Sequence, residues 1–265
     1  MNFSKWTGLG NDFVLLEPGE SLDFGDGFEQ RIIKLCDRRF GIGADGVVTV
    51  TPLESNPGVD FEMRIFNADG SEAAMCGNAT RCVAKFIRNR GLAKPEQKVF
   101  NLHTKSGLVR PELLDDGRVC VDMGLPRKFL DSIKLTADCY DFTAETVSMG
   151  NPHAVIFVDD IEKIQLEAWG RVLECDRQFP DRCNIEFAQV VTPTQIRMRV
   201  WERGCGVTMA CGTGSCATLV AAQRTGRVGV EADVVLDGGT LHIKHEENGP
   251  VLMTGPAAEV FRGTI

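Results

Sequence analysis

Alternating apolar and polar positions mark two similar strands, one in each half of the chain. Residues 61–66 (FEMRIF) and 196–201 (IRMRVW) both alternate in character, which is typical of a strand with one buried face. The two segments lie 135 residues apart, and a Met-Arg pair occupies the same place in both. The repetition indicates an internal duplication.

A predicted helix follows each strand at the same distance. After a loop come Cys76-Gly77 in the first half and Cys211-Gly212 in the second, each opening a stretch of helical pattern. A glycine stands 15 residues beyond each cysteine, at 91 and at 226. Glycine is the residue that most often follows the last turn of a helix, so both positions predict a helix end.

Two further features repeat in the same order. Residues 10–16 (GNDFVLL) resemble 150–156 (GNPHAVI), and both predict a turn that enters a buried strand. Segments 107–124 and 239–255 are each bounded by glycines and predict hairpins, with turns at 116–117 (DG) and 248–249 (NG).

The repeated order predicts an α+β fold of two pseudo-symmetric domains. Each is expected to be a curved, mainly antiparallel sheet around a central helix, with the active site in the cleft between the domains. We assign 1–120 to the N-terminal half and 147–265 to the C-terminal half, with 121–146 as a connecting region. The assignment leaves room for the C-terminal strand of the chain to pack back on the first half.

Composition narrows the class of protein. The chain has 265 residues, 43% of them hydrophobic, and a formal net charge of −8 without a basic block. Nucleic acid is therefore not an expected partner. No apolar run has the length of a membrane span, and Met1 leads directly into a glycine-rich motif instead of a signal peptide. We expect a soluble, cytoplasmic protein with no membrane partner.

Two of the ten cysteines stand out by position. Most are expected to be reduced and buried as small apolar side chains. Cys76 and Cys211, however, begin helices, where unpaired N–H groups and the positive end of the helix dipole favour a thiolate. The alternative is that both are ordinary helix-start residues that a duplicated fold has kept for packing.

Two thiols on opposite faces of one carbon are suited to inversion. One thiolate removes a proton and the opposite thiol returns one. Pyridoxal phosphate usually stabilises the carbanion of an amino acid, but no glycine-rich phosphate loop adjoins a lysine here. Two helix N-termini aimed at the carboxylate could serve instead, so we expect no cofactor. Nor do we expect a metal. Cysteines 205, 211 and 216 lack the short CxxC spacing of a structural zinc site, and His242 and His245 fall on opposite faces of a predicted strand.

Six motifs resemble those of the diaminopimelate epimerase family, which works without pyridoxal phosphate. They occur in the family's order and span nearly the whole chain: 8–13 (GLGNDF), 66–72 (FNADGSE), 76–78 (CGN), 150–153 (GNPH), 202–204 (ERG) and 210–214 (ACGTG). The likeness continues to 253–257 (MTGPA).

The resemblance implies interconversion of LL- and meso-diaminopimelate, on the pathway to lysine and peptidoglycan precursors, by Cys76 and Cys211. It implies that the distal end of the substrate is held by Asn11, Asn67, Asn151, Asn184 and Arg203. It further implies that the reacting amino-acid end is held by the backbone of Gly77, Asn78, Gly212 and Thr213 and by Glu202. The resemblance is compatible with a homodimer.

Four positions depart from the pattern of part of the family and leave the fine specificity open. Gly46 stands where some members carry a substrate-contacting glutamine, and the other three departures are Thr7, Thr80 and Val207.

Three alternatives stay open from the sequence alone. One is a related two-base racemase or isomerase for another amino acid, such as glutamate or proline. The second is a thiol-redox protein, although the chain has no CxxC and a Cys76–Cys211 disulfide would be required. The third concerns His153, which either assists catalysis or is a hydrogen-bonded structural residue at a strand start.

Overall fold

The computed structural model describes residues 1–20, 27–53 and 56–265. These form two compact units, here called unit 1 and unit 2. Unit 1 comprises Met1–Val121 together with Gly255–Ile265, and unit 2 comprises Asp122–Thr254. Residues 122–146 thus belong to unit 2, to which they contribute one strand and most of the next.

The helices and strands of unit 1 follow the predicted order. Up to the start of unit 2 they are β1 (Asn2–Gly8), β2 (Asn11–Leu16), α1 (Phe28–Cys36), β3 (Gly46–Pro52), β4 (Phe61–Asn67), β5 (Glu72–Ala73), α2 (Gly77–Asn89), β6 (Leu102–Thr104), β7 (Gly107–Val109), β8 (Pro111–Leu113) and β9 (Val119–Asp122).

Unit 2 repeats this order, and the last strand of the chain then returns to unit 1. The elements are β10 (Ile133–Ala137), β11 (Tyr140–Ser148), β12 (Pro152–Phe157), α3 (Leu166–Leu173), β13 (Asn184–Thr192), β14 (Gln195–Glu202), β15 (Gly206–Thr208), α4 (Gly212–Arg224), β16 (Glu231–Leu236), β17 (Gly239–His245), β18 (Val251–Gly255) and β19 (Ala258–Thr264).

Seven strands follow the same order in the two sheets. In unit 1 the order is β19-β1-β2-β3-β4-β6-β7 with β5 beside β4, and in unit 2 it is β10-β11-β12-β13-β14-β16-β17 with β15 beside β14; the second sheet then continues with β18. The pairings also agree in direction, since β2–β3 and β12–β13 are parallel, as are β4–β6 and β14–β16, while β1–β2 and β11–β12 are antiparallel. The predicted duplication and the mainly antiparallel sheets are confirmed.

The central helices correspond residue by residue. Both are 13 residues long, and each bound of α4 lies 135 residues after that of α2. The predicted end glycines, Gly91 and Gly226, have φ of 64° and 70°, a left-handed conformation that glycine adopts without strain. The N–H of each glycine and that of the following residue donate to carbonyls of the last turn, those of Arg88 and Ile87 in α2 and those of Gln223 and Ala222 in α4.

Each central helix is buried on nearly all sides. In α4 the buried positions run almost without interruption from Gly212 to Ala222, so the helix lacks a polar face. The helix contacts strands toward both ends of the sheet, including β11 and β17, which means that the sheet curves around it. In unit 1, α2 packs against β1, β2, β8 and β19. The fold expected from the sequence is therefore confirmed.

A second helix covers the outer side of each sheet. In unit 1, Ile32 and Leu35 of α1 pack with Val14, Val47 and Phe66 of the strands. The unit 2 core is built around α3 in the same way: it contains the α3 residues Trp169 and Leu173 together with strand residues such as Phe187.

Candidate active site

The start of α2 presents Cys76. The residue is the N-cap of the helix with an extended backbone (φ −143°), and its side chain is partly exposed. Its carbonyl oxygen accepts hydrogen bonds from both the backbone N–H and the hydroxyl of Thr80, each at 2.9 Å. Gly77 and Asn78 occupy the first helical positions, where the positive end of the helix dipole favours an anion.

Asn11 brings an amide to Cys76 from the start of β2. The preceding Leu9 and Gly10 have positive φ (63° and 87°), which turns the chain between β1 and β2. The Asn11 Oδ1 atom lies 3.3 Å from the donor Nδ2 of Asn78 and 3.8 Å from Cys76 Sγ. Two residues that the sequence predicted for the site therefore meet Cys76 within unit 1.

A cluster of charges lies behind Asn11. Asp45 accepts a hydrogen bond from Asn11 Nδ2 at 2.6 Å, and Arg38 donates to both Asp45 (2.6 Å) and Asp12 (2.7 and 3.0 Å). Lys5 pairs with Asp12 at 2.8 Å. Burial opposes ionisation of Asp12, but the hydrogen bonds and charges of Arg38 and Lys5 outweigh it and lower the pKa of the carboxyl to about 2.

Asn67 lies at the same edge of the unit 1 sheet. It ends β4 opposite Gly46, the residue that begins β3, and Gly46 in turn pairs with Phe13 of β2. Its Nδ2 donates to Ser71 Oγ at 3.0 Å within the turn that follows the strand. A Cβ atom at Gly46 would come within 2.6 Å of the Phe66 carbonyl oxygen, so this backbone has no room for the glutamine of other family members.

The start of α4 presents Cys211 in unit 2. The thiol is almost fully buried, with 3% exposure. Its Sγ accepts a hydrogen bond from the backbone N–H of Gly214 at 3.4 Å and lies 3.6 Å from the hydroxyl oxygen of Thr213. The hydroxyl of Ser215 donates to the Cys211 carbonyl at 2.9 Å, which repeats the role of Thr80 at Cys76.

A chain of hydrogen bonds leads from the buried pair of His153 and Glu186 to Cys211. The ring of His153 lies with Nδ1 2.7 Å from Glu186 Oε1 and with Nε2 3.0 Å from Asn151 Oδ1. Asn151 Nδ2 then donates to Thr213 Oγ1 at 3.3 Å. Both ring nitrogens of His153 thus face acceptor oxygens, and the residue is fully buried at a strand start, as its structural interpretation requires.

Burial controls the protonation of Cys211. It raises the pKa of the thiol well above the ordinary value, and the negative charges of Glu202 and Glu186 raise it further. Hydrogen bonds from Thr213 and Gly214 act in the opposite direction but only in part. Burial thus shifts the pKa of Cys211 in the direction opposite to the one that its helix-start position predicts.

Glu202 is the last residue of β14, and Arg203 follows it in the next loop. The Arg203 backbone N–H donates to Asn184 Oδ1 at 2.9 Å, and Asn184 Nδ2 donates to the Pro152 carbonyl at 2.8 Å. Glu202 Oε2 accepts from the hydroxyl of Thr208 at 2.9 Å. Asn184 is therefore tied to the loop that bears Arg203.

Three supporting carboxylates escaped the sequence reasoning. Asp45 orients Asn11, Glu186 pairs with His153, and Glu174 accepts hydrogen bonds from Trp201 Nε1 (2.6 Å) and from the N–H of Gly204 (2.9 Å). The only available signal was proximity: Asp45 precedes Gly46, and Glu186 follows Asn184 by two residues in the same strand.

The remaining departures from the family pattern have local explanations. The Thr7 hydroxyl accepts a hydrogen bond from the N–H of Gly10 at 3.2 Å and so supports the turn before Asn11. Thr80 binds the Cys76 carbonyl, as described above, and Val207 is an exposed residue of β15.

Within 1–20, 27–53 and 56–265, no group of three or more His, Cys, Asp or Glu side chains is arranged to hold a metal ion. In this part of the chain, no helix has both the length and the apolar character needed to cross a membrane.

The fold is shared with solved racemases and epimerases. A hydroxyproline epimerase from Agrobacterium vitis superposes with a TM-score of 0.73 at 16% identity, covering 99% of this chain and 91% of that one. A probable proline racemase from Agrobacterium radiobacter gives a TM-score of 0.75 at 16% identity over 100% and 92%. The chain therefore has this two-unit fold, with one cysteine at the start of each central helix.

The chain belongs to the diaminopimelate epimerase family, whose model matches residues 3–129 and 145–260. A relative named diaminopimelate epimerase from Pelotomaculum thermopropionicum is 46% identical over 99% of this chain and 98% of its own length. Diaminopimelate epimerase 1 of a Nostoc species is 44% identical over 100% and 99%.

Proposed function

We propose that this chain interconverts LL- and meso-diaminopimelate, with Cys76 and Cys211 as the two acid/base groups. The observation that carries the proposal is the equivalent position of the two cysteines, each the N-cap of the central helix of its unit. An inversion needs two such groups, one on each face of the carbon.

The reaction consists of two proton transfers at the α-carbon. One thiolate takes the α-proton, so that the C–H bond breaks, an S–H bond forms and the electron pair spreads into the carboxylate. The opposite thiol then gives its proton to the other face of the carbon and becomes a thiolate. The cysteines exchange roles in the reverse direction, which means that each must be stable in both protonation states.

Backbone N–H groups are proposed to stabilise the enolate-like charge. Those of Gly77, Asn78, Gly212 and Thr213 lie at helix starts, where they lack intrahelical acceptors. Loss of one preorganised donor of this kind costs about 2.7–4 kcal/mol in a transition state, whereas a helix dipole contributes at most about 2 kcal/mol. Directed hydrogen bonds are therefore the larger of the two contributions.

The buried hydrogen-bond chain in unit 2 supports the thiolate state of Cys211. Burial alone keeps this residue a thiol. The Thr213 hydroxyl can donate to Sγ when the sulfur is charged, because its oxygen already accepts from Asn151. His153 and Glu186 hold Asn151 in that orientation, so this series of hydrogen bonds helps Cys211 to alternate between acid and base.

Substrate binding at the distal end is assigned to the remaining polar residues of the two units. The charged end groups of diaminopimelate match the fork of Arg203 and the amides of Asn67 and Asn184. Glu202 is assigned to the reacting ammonium group. The place of the enzyme on the cytoplasmic pathway to lysine and peptidoglycan precursors, and its assembly as a homodimer, belong to the same proposal.

Deuterium incorporation tests the two-base mechanism. Purified, reduced protein is incubated with LL-diaminopimelate in deuterated water, and substrate and product are separated by chiral chromatography and weighed by mass spectrometry. Early product should carry one deuterium at the inverted carbon while the remaining substrate stays protiated, because the returning proton comes from a solvent-equilibrated thiol. Early product that retains the original proton would point to a single base.

Cysteine variants assign the two bases. Cys76→Ala and Cys211→Ala should each lower turnover by more than the roughly 10²–10⁴-fold usual for one acid/base group, since neither face can replace the other. Cys139→Ala, at an exposed cysteine, is the matched control and should keep full activity. Parallel assays with L-glutamate and L-proline should show no inversion; turnover of either instead of diaminopimelate would overturn the substrate assignment.

A further inference from the structure

The side-chain amide of Asn11 has a defined orientation. Its Nδ2 donates to Asp45 Oδ2 at 2.6 Å, and its Oδ1 faces Asn78 Nδ2 and Cys76 Sγ at 3.3 and 3.8 Å. An ionised carboxylate only accepts hydrogen bonds, so it attracts the NH2 end of an amide and repels the oxygen end. Asp45 therefore decides which end of Asn11 points at Cys76.

Asp45 is itself held from three directions. Its Oδ1 accepts from Arg38 at 2.6 Å, its Oδ2 accepts from the backbone N–H of Asp12 at 3.0 Å, and its own N–H donates to Asp12 Oδ1 at 3.1 Å. Arg38 spans both carboxylates, and Lys5, 7% exposed, pairs with Asp12 on the inner side. This arrangement leaves the Asp45 carboxylate little freedom to turn away from Asn11.

We propose that Asp45, clamped by Arg38, is a positioning residue that keeps the oxygen of the Asn11 amide directed at Cys76. An oxygen at this place accepts a hydrogen bond from the Cys76 thiol and disfavours its thiolate. A turned amide would present N–H groups there and stabilise the thiolate. The inference rests on the proposed function, in which Cys76 must carry a proton to deliver it.

Unit 2 contains the equivalent arrangement with a different orienting group. Asn151 stands at the position that corresponds to Asn11, and its amide reaches Thr213 at the start of α4. There the Oδ1 atom is held by His153, which is paired with the carboxylate of Glu186. In both units a carboxylate thus determines the orientation of the asparagine next to the cysteine, directly in unit 1 and through a histidine in unit 2.

Alkylation of Cys76 as a function of pH tests the proposal without an activity assay. Reduced protein is treated with iodoacetamide across a pH series, and the modified peptide that contains Cys76 is quantified by mass spectrometry. In Asp45→Asn the midpoint of the rate profile should move down by about half to one pH unit, which makes alkylation about threefold to tenfold faster near neutral pH. The plateau at high pH should stay unchanged, because only the thiolate fraction is altered.

A second variant separates positioning from the electric field of the charges. Arg38→Gln removes a positive charge, and the field alone would then move the Cys76 midpoint to higher pH. Loss of the clamp would release Asp45 and move the midpoint to lower pH instead. Arg38 has a side chain that is 58% exposed, so this variant should fold even if Asp45→Asn does not.

The control is Asp116→Asn, the same chemical change in an exposed turn of unit 1. It should leave both midpoint and plateau as in the unchanged protein. An unchanged midpoint in Asp45→Asn, a higher midpoint in Arg38→Gln, or a raised plateau that indicates general loosening would each overturn the positioning role. Failure of the proposed function would appear separately, as an absence of diaminopimelate turnover in the unchanged protein.

Discussion

The first turns of the two central helices differ at their third position in a way that the packing explains. In α2 the third position is Ala79, whereas the equivalent position in α4 is Gly214. Helix geometry therefore tolerates a methyl group there. A Cβ at Gly214 would come within 2.7 Å of Glu186 Oε1 and 3.2 Å of Cys211 Sγ, so the glycine leaves room for the carboxylate that pairs with His153.

Gly214→Ala should lower kcat by about tenfold or more, since the methyl group displaces Glu186 and misaligns the hydrogen bonds to Cys211; such a loss corresponds to about 1.4 kcal/mol. Steady-state kinetics with diaminopimelate and a thermal melt measure the effect and the integrity of the fold. Ala79→Gly is the matched control and should change kcat by less than about threefold. Equal losses in both variants would mean that only helix propensity was altered.

The element that carries Arg203 is a loop anchored by a neighbouring helix. Glu174 caps the end of α3, and its two oxygens hold Trp201 and the N–H of Gly204 on either side of Arg203. Within α3, Gly170 allows the close approach, because a Cβ there would lie 2.5 Å from Trp201. The helix and the loop thus together support Arg203, the arginine that we propose binds the substrate.

Glu174→Gln should raise KM for diaminopimelate more than it lowers kcat, because the amide replaces one acceptor oxygen by a donor and the loop loses one of its two anchors. The lost hydrogen bond to a charged group corresponds to about 1.5–3 kcal/mol. Kinetics in parallel with Glu167→Gln, at an exposed position of the same helix, provide the comparison. A fall in kcat at constant KM would show that Glu174 acts on the chemical step and not on the loop.

At the scale of the whole molecule, unit 1 is completed by the last residues of the chain. Strand β19 pairs with β1, and the Met1 ammonium donates to the Ile265 carbonyl at 2.8 Å. Arg90, just beyond α2, binds Glu17 with two hydrogen bonds of 2.6 Å and Glu259 of β19 at 2.9 Å. Its side chain is only 7% exposed.

Arg90→Met should destabilise unit 1 by about 3–5 kcal/mol, because two shielded carboxylates lose their shared cation. Hydrogen exchange measured on peptides of α2 and β19 should accelerate, while peptides of α4 should be protected as before. Arg262→Met removes an exposed partner of the same Glu259 and should cost no more than about 1 kcal/mol. Equal exchange in both variants would remove Arg90 from the support of β19.

The sequence alone determined whatever depends on near neighbours in the chain. Strand alternation, the helix-ending glycines and the cysteine at each helix start are local signals, and their repetition 135 residues later indicates two similar units. Motif order was enough for the family, because the turns and helix starts that carry the motifs occupy short segments.

Only the tertiary structure decided which charges support those motifs. Asp45 reaches Asn11 across 34 positions and Glu186 reaches His153 across 33, and no local periodicity links such residues. The protonation of Cys211 likewise depends on burial by residues from several strands, which overrides the effect of the helix terminus. The return of β19 to unit 1 has the same origin: strand pairing is selected by burial across the whole sheet, and the hydrophobic pattern of one segment does not specify its partner.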